Sequence, residues 1–81
     1  MFIIYTKEIG GRAFARYYKN WENARKELES ELEIYVSMGF QIKHKIDRMN
    51  TGKGFYELEV TGTTCDGEDF ALYLSEGYFQ D

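Results

Sequence analysis

The stretch that decides the fold is NWENARKELESELEIYVSMG, residues 20–39. Asn20 is a favoured N-cap residue and Gly39 a favoured residue just past a helix C-terminus, so together they predict a helix over about residues 21–38. Apolar side chains recur between them at the spacing that lines one stripe of a helix. The stripe consists of Trp21, Ala24, Leu28, Leu32, Tyr35 and Val36. We expect this stripe to face a core and Ile34 to lie on the polar side.

Two strands joined by a tight turn are predicted before the helix, over residues 2–7 and 12–18. Gly10-Gly11 suits a two-residue hairpin turn, which places Ile9 opposite Arg12. Alternate residues of a strand share a face. One face then carries Phe2, Ile4, Thr6, Ala13, Ala15 and Tyr17, and the other carries Ile3, Tyr5, Lys7, Arg12, Phe14, Arg16 and Tyr18. We expect the first face to meet the helix, because its two alanines would permit a close approach.

Three further strands are predicted after the helix, over residues 40–49, 55–64 and about 68–75. A glycine-rich turn near residues 51–53 separates the first two, and a three-residue loop ending at Gly67 precedes the last. Residues 76–81 are expected to form a tail that frays or docks. The alternation directs Phe40, Ile42, His44, Ile46, Tyr56, Leu58 and Val60 inward, with Phe70, Leu72 and Leu74 on the same face; it directs Gln41, Lys43, Lys45, Asp47, Glu57 and Glu59 outward.

The element order is β-β-α-β-β-β, which predicts a single α+β domain over residues 1–81. Its five strands are expected to form one largely antiparallel sheet with the single helix packed on one face. Local residue patterns do not determine the order of the strands within that sheet.

The composition indicates a globular cytoplasmic protein that is not bound to a membrane. Hydrophobic residues make up 43% of the 81 residues, which is too many for a disordered chain. The single cysteine, Cys65, excludes an intramolecular disulfide. The apolar start at residues 1–5 is too short for a signal peptide or a membrane span.

The sequence contains no combination of residues that is typical of an enzyme or a metal site. The only histidine, His44, is expected to point inward, and Cys65 lies in a loop too far along the chain to pair with it. The acidic residues around Asp66 lack the spacing of a calcium loop, and no closed zinc site can be built from one His and one Cys. We therefore expect no catalytic residue, no metal and no cofactor.

The outer face of the predicted hairpin is the first candidate binding surface. It alternates aromatic with basic side chains: Tyr5, Lys7, Arg12, Phe14, Arg16 and Tyr18. Such a mixture is typical of protein interfaces, and it also suits the stacking of bases and the neutralisation of phosphates in single-stranded nucleic acid. The remaining alternative is that other strands or the C-terminal tail cover these rings.

An acidic ridge on the helix is the second candidate surface. It consists of Glu27, Glu29, Glu31 and Glu33, with Ile34 exposed beside them. These glutamates oppose the helix macrodipole and repel one another at i,i+4 spacing. They indicate either a solvated face or a surface that meets a basic partner.

The function that these patterns favour is a non-enzymatic protein-interaction module, and a homodimer through the outer sheet face is one form that it could take. The alternative is a weak binder of single-stranded nucleic acid that uses the same hairpin face, although the net charge of −4 opposes it. A second alternative is an acidic inhibitor or nucleic-acid mimic that acts through the acidic ridge.

Overall fold

The predicted order of strands and helix is confirmed in the computed structural model, which describes residues 2–50 and 55–77, with the backbone alone for 48–50 and 55–56. The elements are β1 (Phe2–Ile9), β2 (Arg12–Tyr18), α1 (Trp21–Ser37), β3 (Gln41–Asn50), β4 (Phe55–Thr63) and β5 (Asp69–Gly77). The turn predicted at residues 51–53 lies outside the described residues.

The five strands form one antiparallel sheet in the order β2-β1-β5-β4-β3. The middle strand, β5, pairs with β1, with Tyr5 opposite Leu74 and Lys7 opposite Leu72. The helix packs on one face of the sheet, over β1 and β5 and beside β2. The α+β fold class is therefore as predicted, and β2 and β3 are the two edges of the sheet.

Both ends of α1 are capped as the sequence indicates. The side chain of Asn20 accepts a hydrogen bond of 2.9 Å from the backbone N–H of Asn23. After the helix, Gly39 adopts φ +90°, a conformation that favours glycine. The N–H groups of Gly39 and Phe40 donate to the carbonyls of Val36 and Tyr35, each at 3.0 Å. This Schellman motif also brings the rings of Tyr35 and Phe40 to 4.8 Å, which directs the chain into β3.

The core lies between α1 and the face of the sheet that carries Ile3 and Tyr5. Its buried members are Ile3, Tyr5, Ala24, Leu28, Tyr35, Leu58, Val60, Phe70, Leu72 and Leu74. The prediction that the opposite hairpin face meets the helix is therefore wrong. The alanines of that face lie in edge strand β2, whereas α1 rests on the central strands, where large apolar side chains fill the space beneath it.

One member of the helical stripe is also misplaced by the prediction. Val36 is 52% exposed, because α1 lies over β1 and β5 and leaves its β3 side uncovered. Ile34 is 51% exposed, as expected.

A β-bulge in β3 reverses the predicted faces of that strand beyond Ile42. The register shifts between Ile42 and His44, so that Lys45 pairs with Val60 and Asp47 with Leu58 on the helix side of the sheet. His44 pairs with Thr61 and is exposed on the side of the sheet away from the helix, and Ile46 lies half-buried on the same side. Their inward orientation was therefore predicted wrongly. One extra residue is enough to exchange the two faces, because side chains alternate with a period of two.

The two described turns follow the predicted geometry. Ile9 pairs with Arg12 across Gly10 and Gly11. Thr64 donates its N–H to the carbonyl of Glu68 at 2.8 Å, which closes the three-residue loop before β5. β5 extends to Gly77, so residues 76 and 77 belong to a strand rather than to a tail. The predicted tail over residues 78–81 lies outside the described residues.

Candidate interaction site

The aromatic and basic side chains predicted to form an outer hairpin surface lie on the helix side of the sheet. Tyr5 is 5% exposed, and its burial, with Glu31 nearby, raises the pKa of its hydroxyl. Tyr18 is half-buried and packs against the core. Arg12 is exposed, and Phe14 is 54% exposed. The six predicted binding residues therefore share a face, but the ring of Tyr5 is not accessible for stacking.

Two of the basic residues on this face pair with glutamates of the helix. The Nζ atom of Lys7 lies 3.1 Å from Oε1 of Glu31, and it also lies 5.7 Å from the centre of the Phe14 ring. Arg16 Nη1 lies 3.3 Å from Oε1 of Glu27. The basic hairpin face and the acidic ridge, predicted as separate surfaces, therefore meet each other along the β2 side of the helix.

The rest of the acidic ridge divides into one paired and one unpaired part. Glu29 accepts a hydrogen bond of 3.0 Å from Arg25, which also contacts Asp47 in β3 at 2.6 Å. Both hydrogen bonds raise the pKa of Arg25, and the bond to Asp47 has the larger effect. Glu33 is exposed beside Ile34, with no ion pair among the described residues. Internal ion pairs thus occupy three of the four glutamates, which reduces the charge available to an outside partner.

The most accessible feature of this region is the edge strand β2 itself. Residues 12–17 are all exposed, and Tyr18 is half-buried. Phe14 projects on the helix side, and Tyr17, which is 69% exposed, projects on the other side. In the sheet order of the described strands, β2 has a neighbour on one side only. Within the part of the chain that the structure describes, no strand pairs with its outer backbone groups, and its side chains are exposed on both faces.

The turn geometry determines which backbone groups of β2 point outward. Gly10 and Gly11 have φ values of +55° and +82°, which is the type I′ pattern for a two-residue hairpin loop. Such a loop is closed by a hydrogen-bonded pair, here Ile9 and Arg12, and hydrogen-bonded pairs then alternate along the ladder. The N–H and C=O groups of Ala13, Ala15 and Tyr17 therefore point away from β1.

The opposite edge strand, β3, has features that oppose pairing with another chain. It contains the bulge after Ile42 and the exposed lysines Lys43 and Lys45. Bulges and edge lysines are devices that keep sheet edges from associating. By contrast, β2 pairs with β1 in an unbroken register, and the sequence contains no proline. The two edges of the sheet therefore differ in how open they are to strand addition.

An apolar depression lies at the end of β2, next to Tyr17. It has a volume of about 580 Å³ and is lined by Phe2, Tyr17, Tyr18 and Lys19. The rings of Phe2 and Tyr17 meet edge to face at 5.6 Å. This end of the edge strand offers apolar and aromatic surface of the kind that anchors protein interfaces.

Comparison with known proteins gives no match from which a role for this site could be inferred. No family model, curated protein or solved structure matches the chain.

The residues considered for catalysis lie apart from this edge. His44 is exposed on the sheet face opposite the helix, and the Cys65 thiol donates to the carbonyl of Met38 at 2.8 Å. No group of three potential metal ligands occurs within residues 2–50 and 55–77. In the same part of the chain, no helix has the length and apolar character needed to cross a membrane.

Sequence reasoning found the aromatic and basic residues of this site but missed the property that makes β2 accessible. That property is its position at the edge, which depends on the spatial order of the strands. The available signal was the glycine pair at residues 10–11, since its turn type fixes which backbone groups of β2 point away from β1.

Proposed function

We propose that the protein is a non-enzymatic interaction module that binds a partner protein by adding a strand to β2. The observation that supports this most is the exposure of six successive residues of an edge strand, with outward backbone groups at Ala13, Ala15 and Tyr17. Strand addition obtains affinity from main-chain hydrogen bonds and specificity from alternate side chains. The exposed thiol of Cys65, with no second cysteine in the chain, suits a cytoplasmic location.

The exposed rings supply the side-chain part of such an interface. Phe14 and Tyr17 lie on opposite faces of β2, so a strand added beside them would contact one ring on each side. Aromatic residues are enriched among the positions that dominate binding energy. Arg12 and Arg16 flank Phe14 and would form the polar rim.

Binding of single-stranded nucleic acid is less well supported by the same residues. Tyr5 is buried, and both Lys7 and Arg16 already contact carboxylates. Phosphates would have to compete with Glu31 and Glu27 for those cations. An acidic mimic is also less well supported, because the charges of Glu27, Glu29 and Glu31 are paired within the chain.

The test removes the outward N–H of Ala15 and leaves the β1–β2 ladder intact. Proline is tolerated on an edge strand where the N–H faces solvent, so Ala15→Pro should fold. The wild-type protein, Ala15→Pro and the matched control Ala15→Ser are immobilised and exposed to nuclease-treated lysate of the native cell. We expect specific capture by the wild type and by Ala15→Ser, and its loss with Ala15→Pro.

A second variant examines the same surface without altering the backbone. The double change Phe14→Ala, Tyr17→Ala removes both exposed rings and should also abolish capture. Circular dichroism and thermal melts establish that each variant is folded. Capture that survives both changes would contradict strand addition at β2. Capture that occurs in a parallel untreated lysate but not after nuclease treatment, or direct binding of a single-stranded oligonucleotide that is lost with Phe14→Ala, would favour the nucleic-acid alternative.

A further inference from the structure

We propose, on the basis of the strand-addition function above, that the partner strand is β2 of a second copy of this chain. The two β2 strands pair antiparallel about a two-fold axis that passes through Ala15. The proposal rests on three properties of the strand: the direction of its free backbone groups, the positions of its arginines, and the sizes of its side chains.

The free backbone groups restrict the register. Only Ala13, Ala15 and Tyr17 direct N–H and C=O groups outward, so they must face one another across an antiparallel pair. Two copies can satisfy this while overlapping for most of the strand if the axis passes through residue 14, 15 or 16. The register centred on Ala15 pairs the whole of Arg12–Tyr18 with itself. Its three hydrogen-bonded residue pairs would form about six main-chain hydrogen bonds.

The arginines distinguish these three registers. An axis at Phe14 would place Arg12 directly opposite Arg16 of the second copy, and an axis at Arg16 would place that residue opposite itself. Like charges directly opposite each other destabilise a strand pair. The axis at Ala15 instead places Arg16 opposite the Phe14 ring of the second copy and Arg12 opposite its Tyr18. Each guanidinium then meets an aromatic ring, which is a favourable cation–π arrangement.

The side chains on the other face are also complementary in size in this register. Ala13 lies opposite Tyr17 of the second copy, and the two copies of Ala15 face each other at the axis. The ring of Tyr17, which is 69% exposed in one copy, would cover the small side chain of Ala13 in the other. Large side chains thus oppose small ones on both sides of the axis.

The resulting assembly places acidic groups around the clustered arginines. An axis perpendicular to the sheet puts both helices on the same side of a continuous sheet of ten strands. The β2 strands run along its centre, with Glu27 and Glu31 of each copy on either side. The outer edges of the combined sheet are the two β3 strands, which carry the bulge and the lysines. Pairing at β2 therefore covers the open edge of each copy and leaves only the two β3 edges exposed. Since those edges oppose strand addition, the assembly stops at a dimer.

The first experiment measures self-association of the full chain by sedimentation velocity from micromolar to millimolar concentration. We expect a monomer–dimer equilibrium for the wild type and for the control Ser30→Ala, which alters an exposed position of α1 outside the proposed interface. In Ala15→Pro the dissociation constant should rise by about 100-fold or more, because one donor per copy is lost and each accounts for roughly tenfold. A wild type that stays monomeric, or a dimer unaffected by Ala15→Pro, would overturn the proposal.

The second experiment tests the register through disulfide formation in a Cys65→Ser background. Ala15→Cys should give a covalent dimer under mild oxidation, because paired residues at the axis have Cα atoms about 5.5 Å apart, within disulfide range. Tyr17→Cys should not, since its two copies would lie roughly 14 Å apart along the strands. Cross-linking through Tyr17→Cys instead of Ala15→Cys would rule out this register.

The outcomes separate this proposal from the function on which it rests. A monomeric protein that still captures a different protein in an Ala15-dependent manner would refute the homodimer but retain strand addition. A protein that neither self-associates nor shows Ala15-dependent capture would refute both.

Discussion

At the level of single residues, Leu28 is the clearest contributor to stability. It lies in the middle of α1 and is 0% exposed. Leu28→Ala should lower the free energy of unfolding by about 2–5 kcal/mol, because a buried cavity replaces the side chain. Val36→Ala provides the control from the same predicted stripe, and since Val36 is 52% exposed its loss should be far smaller. Urea titrations of both variants give the comparison; equal losses would mean that the helix buries a different face.

The burial of Tyr35 should make the stability of the folded protein depend on pH in the alkaline range. Burial and the nearby Glu31 raise the pKa of Tyr35 from 10.0 to about 12. The folded chain therefore retains this proton after the unfolded chain has released it. The stability linked to Tyr35 is complete below about pH 10 and is lost as the pH rises toward about 12.

The corresponding experiment compares thermal midpoints of the wild type and Tyr35→Phe across that pH range. We expect the variant to lose less stability than the wild type as the pH increases. Burial also raises the pKa of Tyr5, so part of the alkaline loss should remain. Tyr17→Phe, which removes an exposed hydroxyl, is the control. A variant whose pH dependence matches the wild type would contradict a role for Tyr35.

At the level of secondary-structure elements, Gly62 determines how β4 fits between its neighbours. A Cβ atom at this position would collide with the carbonyl oxygen of Gln41 and would lie 2.6 Å from the Phe70 ring. Gly62 pairs with Ile42, immediately before the register of β3 shifts. Gly62→Ala should therefore destabilise the protein by about 1–3 kcal/mol through overpacking. Ser75→Ala, at an exposed position of β5, should change stability by less than about 0.5 kcal/mol. If denaturant titrations show that Gly62→Ala leaves the free energy of unfolding unchanged, then β3 can move aside to make room for the added methyl group.

The same part of the sheet shows why the prediction of β3 failed. Residues 41–47 alternate polar with apolar side chains, which predicts a regular strand with His44 and Ile46 inward. The bulge after Ile42 leaves no mark in that pattern, because it alters pairing rather than composition. By contrast, both helix ends, the hairpin turn and the loop before β5 have local residue preferences, and all four were predictable.

At the level of the whole molecule, the faces of the hairpin could not be predicted without the strand order. β1 is an interior strand with a neighbour on each side, whereas β2 lies at the edge, so the side chains of β1 decide which face is buried. Ile3 and Tyr5 are large and fill the space below α1, whereas the alanines that suggested close helix packing lie in β2. Local alternation identifies two faces but does not indicate which of them meets the helix.

Only part of the candidate site was predicted, because its accessibility also depends on how distant segments meet. The alternation of basic and aromatic residues in the hairpin and the run of glutamates in the helix indicated two separate surfaces. Long-range contacts instead bring Lys7 to Glu31 and Arg16 to Glu27, so much of that charge is paired internally. The residues of the interface were recognisable from composition, whereas their accessibility depended on contacts between distant segments.

The pairing of β1 with β5 at the centre of the sheet has a consequence for synthesis on the ribosome. Phe2 pairs with Gly77, and β5 lies between β1 and β4. The hairpin, the helix and the β3–β4 pair therefore emerge before the strand that connects them, while Tyr5 and Leu28 still lack the leucines of β5. Contacts between segments so distant along the chain slow folding, and the partly assembled chain exposes apolar surface during that interval. A nascent chain should gain protection from proteases only after residue 77 has left the exit tunnel.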